Sequence, residues 1–78
     1  MTLITALTIK NNIEGIRCEP YGQDKETGKW AGAINLYHSE VFHTTLVSSN
    51  PEFESSKAAV AFMEDVVRQV RALDLAAA

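Results

Sequence analysis

The 78-residue chain carries a single cysteine, Cys18, so no intramolecular disulfide can form. Small secreted domains usually depend on several such bridges, so a reducing cytoplasm is the expected location (the host-cell cytoplasm if the chain is phage-encoded). Long apolar runs are missing too: none approaches the ~18 residues a membrane helix needs, and no membrane contact is expected. The N-terminus lacks the basic start and continuous apolar stretch of a signal peptide, because Thr2, Thr5 and Thr8 interrupt it. An excess of basic charge is also lacking. Ten acidic and seven basic residues leave a net charge of −3, and a nucleic-acid backbone requires a basic footprint, so direct nucleic-acid binding is not expected. Internal repeats and low-complexity segments are absent.

What remains is ordinary globular material, 46% hydrophobic and 22% charged. The length allows one domain, residues 1–75, followed by Ala76-Ala77-Ala78 as a frayed tail or cloning remnant. A chain of this size buries roughly two-thirds of its unfolded surface, so its core is small.

Leu3 to Ile9 alternates with period two and is rich in β-branched residues, which predicts a first strand. Asn11-Asn12 reads as a turn. A second strand is expected from Ile13 to Tyr21, with Pro20 marking its end or an edge position. Gly22 to Lys29 is a polar hairpin loop with a glycine near each end. Trp30 to Tyr37 is the third strand, His38-Ser39-Glu40 a short turn, and Val41 to Ser48 a fourth strand. Asn50-Pro51 then breaks the sheet.

Ser55 or Ser56 offers an N-cap for a helix running to Leu73. Ala59, Phe62, Met63, Val66, Val67, Val70 and Leu73 share one side of it, a stripe wide enough to lie on a sheet. Glu52 and Glu54 precede the helix and Arg68 and Arg71 lie near its end, as the dipole favours. The expected fold is α+β, an antiparallel three- to four-stranded sheet packed by one C-terminal α-helix in ββββα order.

Chemistry-bearing clusters are few. His38, Glu40 and His43 have the right donor types for a metal, but two or three ligands without a fourth make a weak site, and polar turn residues beside a sheet-face histidine explain them as well. Cys18 falls mid-strand beside Ile16 and reads as a buried, inert thiol. Asp24-Lys25-Glu26 lacks the ligand count of a calcium loop and reads as a solvated hairpin tip. Lys57, Arg68 and Arg71 share a helix edge with Glu64 among them, which cancels part of their field. No catalytic residue, metal or cofactor is expected.

The sheet has a second face. With Trp30, Ile34, Leu36, Ile16 and Cys18 turned to the helix, the other face carries Ile4, Ala6, Thr8, Ala31, Ala33, Asn35, Tyr37, Val41, His43, Thr45 and Val47. Its strand interiors hold few charges, chiefly Arg17 and Glu19. A flat surface of small, β-branched and aromatic residues suits contact with another protein or a second copy of the chain, although Thr, Ala and Tyr also make an adequate wet face. One register slip would invert Val41–Val47.

The run Phe53-Glu-Ser-Ser-Lys-Ala-Ala-Val60, following a strand pair that opens on Trp30, resembles the ββα units of small bacterial and phage domains over residues 29 to 70. The whole chain, short, acidic and cysteine-poor, resembles the small inhibitor proteins of phages and mobile elements, of anti-CRISPR type. That resemblance implies a non-enzymatic protein that inhibits a nucleic-acid-guided host defence complex by occupying its surface. The residues expected to meet such a partner are Asn35, Tyr37, His43 and Thr45 on the sheet and the acids Asp24, Glu26, Glu52, Glu54 and Asp65. A structural homodimer pairing through the same face is the alternative.

Overall fold

A computed structural model describes residues 1–75; the expected tail, Ala76 to Ala78, lies outside the described residues. The element order is α1 (Leu3–Asn11), β1 (Ile16–Gln23), β2 (Trp30–His38), β3 (Val41–Ser48) and α2 (Ser56–Ala72). The three strands form one antiparallel sheet in the order β1-β2-β3. Both helices lie on the same side, with α2 packed on β1 and β2 and α1 packed on α2. No helix among the described residues is long and apolar enough to cross a membrane.

α2 forms as its sequence requires. Ser55, in extended conformation, accepts a hydrogen bond from the Ala58 amide at 3.0 Å and caps the first turn. Ala59, Met63, Val67 and Val70 recur at helical spacing and are buried. Phe62 and Leu73, expected on the same stripe, are about half exposed instead. Phe62 stacks on Phe53, ring centroids 5.0 Å apart. Phe53 itself pairs with Trp30 through two backbone hydrogen bonds, N–H to O at 2.7 and 3.1 Å, an isolated rung beyond β3.

The expected first strand is a helix, so the order is αβββα rather than ββββα. Two facts decide it. Thr2 caps the segment, its hydroxyl accepting from the Thr5 amide at 3.1 Å, and Thr8 satisfies its own hydroxyl on the Ile4 carbonyl at 2.9 Å. Ala6 and Ile9, three residues apart, then bury in the core with Ile34, Met63, Val67 and Val70. Alternating and helical spacing coexist in this run, and docking on α2 selects the second. Lys10 completes the joint: its ammonium donates to the carbonyls of Arg71 and Leu73 at 2.9 and 2.6 Å, filling open acceptors at the end of α2. Ile4, Ala6 and Thr8 therefore do not belong to the sheet's open face.

β1 starts three residues later than expected and runs past Pro20, which an edge strand tolerates; the register shifts between Pro20 and Gly22. Even-numbered positions of β2 face α2. A Cβ on Gly32 would stand 2.7 Å from the Ala59 carbonyl oxygen, and Ile34 is fully buried against Met63. Ile16 and Cys18 lie against the same cluster, as expected. β3 departs from simple alternation. Register shifts between Ile34 and Asn35 and between Leu36 and Tyr37 insert two bulges. Val47 consequently packs on the core, Phe42 stands opposite Tyr37, and Val41 pairs with His38 on the helix side, so neither valine takes its expected place on the open face. The β2–β3 turn is tight, with Ser39 and Glu40 both left-handed at φ 51° and 69°.

Candidate functional site

The sheet face away from the helices carries an ordered polar network. Odd positions of β1 and β2 present Arg17, Glu19, Ala31, Ala33, Asn35 and Tyr37 there. Glu19 is the node. Its Oε1 accepts from Asn35 Nδ2 at 2.8 Å and from the Tyr37 hydroxyl at 2.5 Å. Asn35 Oδ1 accepts from Thr45 Oγ1 at 2.7 Å, which carries the chain of bonds across all three strands. Arg17 lies over the Tyr37 ring, 4.3 Å from its centroid, and donates to Glu40 Oε2 at 2.5 Å. Phe42 meets the Tyr37 ring edge-on, with centroids 5.7 Å apart.

This network explains why Asn35, on a face no helix covers, is only 8% exposed. Its neighbours shield it and fill its hydrogen-bonding capacity. The two hydrogen bonds from Asn35 and Tyr37 hold the Glu19 carboxyl below the usual carboxylate range. The same bond pushes the Tyr37 hydroxyl above its ordinary value. The bond to Glu40 raises the Arg17 guanidinium. Across neutral pH Glu19 is therefore ionised, Tyr37 a neutral donor and Arg17 charged.

Apolar and acidic groups flank the network. Phe42 is 52% exposed on this face at one end of the sheet. At the other, Tyr21, Ala31, Asp24 and Pro51 border a shallow depression of about 320 Å³. Asp24 and Glu26 sit in the β1–β2 loop, where Asp24 Oδ1 accepts from the Glu26 amide at 2.8 Å. Glu52 and Glu54 lie in the β3–α2 connection at this same end, with Glu54 3.3 Å from Lys29.

Of the expected contact residues, the structure thus brings Asn35, Tyr37 and Thr45 into one network and gathers four acids beside it. His43 stands apart, its ring against His38 at 4.7 Å between centroids. Asp65 lies on α2, in the other layer, bonded to Arg68 at 2.5 Å and Gln69 at 2.7 Å, and these bonds keep its carboxyl low. Glu40 turns to Arg17 rather than to the histidines, and no group of three or more metal-donor side chains occurs among the described residues. Arg17, Glu19, Glu40 and Phe42 were not among the expected contact residues. Arg17 and Glu19 show in the sequence as the chief charges within the strands of that face. Their diagonal reach to Tyr37 and Asn35 depends on strand register.

Cys18 is half-buried on the helix side, where burial, with a smaller push from Glu64, raises its thiol pKa. Comparison with protein-family models, curated proteins and solved structures returns no match.

Proposed function

We propose that this chain is a non-enzymatic protein-binding domain, an inhibitor of anti-CRISPR type that occupies a surface of a nucleic-acid-guided defence complex with its open sheet face. The observation that carries the reading is the network around Glu19 and Asn35. It is pre-ordered, rich in Tyr, Arg and Phe, and left uncovered by either helix. Arginine and aromatic residues held rigid in this way are the composition of interface hot spots. The left-handed Glu40 adds to it. Glycine would fit that turn with less strain, yet a glutamate sits there and pairs with Arg17. Asp24, Glu26, Glu52 and Glu54 beside the face suit a partner whose nucleic-acid-binding surface is basic.

Purified nucleic-acid-guided defence complexes passed over the immobilised protein test the proposal. Wild type binds at least one of them, Tyr37→Ala and Phe42→Lys bind more than about tenfold more weakly, and Gln69→Ala on α2 binds normally. Absence of binding across the panel, or equal binding by all variants, removes it.

A homodimer through the same face is the second reading. The uncharged β3, Val-Phe-His-Thr-Thr-Leu-Val-Ser, favours it, because self-association there brings no like charges together. Sedimentation at rising concentration decides: a single-chain mass throughout excludes the dimer.

A further inference from the structure

A cavity of about 410 Å³ opens between β1 and α2, on the side of the sheet away from the proposed docking face. Ile16 and Cys18 line it from the strand, and Glu64, Val67, Arg68 and Arg71 from the helix. Its volume falls in the range of small-molecule sites. Ile16 on the strand and the buried Val67 on the helix give it an aliphatic lining on both sides.

The two arginines differ. Arg68 is already neutralised by Asp65 at 2.5 Å. Arg71 donates from one Nη to the carbonyls of Asn12 and Ile13 at 3.5 and 3.4 Å, at or beyond the long end of useful hydrogen bonds. Its Nε is buried and has no acceptor among the described residues. An arginine Nε and the adjacent Nη form the fork that takes both oxygens of a carboxylate. Turning that fork toward the cavity gives up two long contacts and satisfies an orphaned donor.

We propose that this cavity binds an aliphatic monocarboxylate, with the carboxylate on the Arg71 fork and the chain along Ile16 and Val67. Glu64 sets the limit on charge. It precedes Arg71 by seven residues, about 10 Å along the helix axis, so it faces the far end of a bound chain and repels a second carboxylate placed there. Cys18 lies beside the chain, half-buried, and burial raises its thiol pKa, so its alkylation is slow near neutral pH and is followed at alkaline pH.

Because Cys18 is the only thiol, its alkylation by iodoacetamide in the full chain reports occupancy. Octanoate slows the reaction roughly tenfold at a concentration about ten times its Kd. Octanol and inorganic phosphate, which each supply half of the recognition, protect far less. Arg71→Gln loses the protection while Arg68→Gln keeps it, both with wild-type circular dichroism. Equal protection by octanol, protection surviving in Arg71→Gln, or none at the solubility limit of octanoate overturns the site. Should Arg71→Gln fail to fold, NMR of the wild type decides. The Arg71 Nε–Hε resonance and the Ile16 and Val67 methyls shift together on adding octanoate, and an unmoved Hε resonance rejects the assignment.

Discussion

Glu19 concentrates the chemistry of the open face in one carboxylate, and its environment makes that testable through pH. Its folded-state pKa is lowered by the bonds from Asn35 and Tyr37. A lowered carboxylate stabilises the fold above its ordinary pKa, about 4.3, and that contribution disappears as pH falls through the folded value. Tyr37 has the opposite sign: raised by Glu19, it contributes below about pH 10 and loses that contribution as pH rises further. Asp65, also lowered, supplies an acid limb of its own on α2. Glu19→Gln therefore flattens, without abolishing, the fall of Tm between about pH 6 and pH 2, while the glutamine oxygen still accepts from Asn35 at neutral pH. Parallel Tm profiles for variant and wild type would show that Glu19 is not held by the network. Sequence reading reached Asn35, Tyr37 and Thr45 because alternation along a strand is written in the sequence itself. It did not reach the role of Glu19, because a diagonal cross-strand contact depends on a register that bulges reset.

At the scale of elements, α2 and the hairpin strands β2 and β3 were legible because several local signals agree in each. The cap, the breaker and the buried stripe all specify α2. α1 was not legible, since Leu3 to Ile9 satisfies both periods and only docking of Ala6 and Ile9 on α2 separates them. The β3 bulges were equally hidden, and they moved Val47 to the core side. Gly32 shows how closely these elements meet. Nothing in the strand pattern demands glycine there, yet an added Cβ would lie 2.7 Å from the Ala59 carbonyl oxygen and 3.0 Å from Met63 Cγ. Met63 can move its side chain, whereas the helix backbone cannot move without disturbing the core. Gly32→Ala is expected to destabilise by about 1–3 kcal/mol, read as a lower midpoint in urea at unchanged slope. An unchanged midpoint would mean that α2 rides farther from β2 than described.

The molecule as a whole is a thin plate, 44 × 26 × 17 Å, with a Cα radius of gyration of 13.0 Å. Its helices occupy one side of the sheet, so among the described residues one broad surface has no second layer. In a small domain that asymmetry leaves two physical outcomes, a face adapted to water or a face adapted to a partner. The paired charges and buried Asn35 serve both, whereas exposed Phe42 and Tyr21 serve the second. If a second copy is the partner, particle shape reports which surface it uses. Sheets stacked ~10 Å apart put the two centres about 20 Å apart and give a radius of gyration of roughly 16 Å. Pairing β3 with β3 of a second copy places the centres about one plate width apart and gives roughly 18 Å. Small-angle scattering across a concentration series separates the three states. A value near that of the single plate at every concentration leaves the face to a different protein. A value near that of the stacked pair, returning to the single-plate value in Phe42→Lys, assigns it to self-association, because that lysine would be buried against its own copy without a counter-charge.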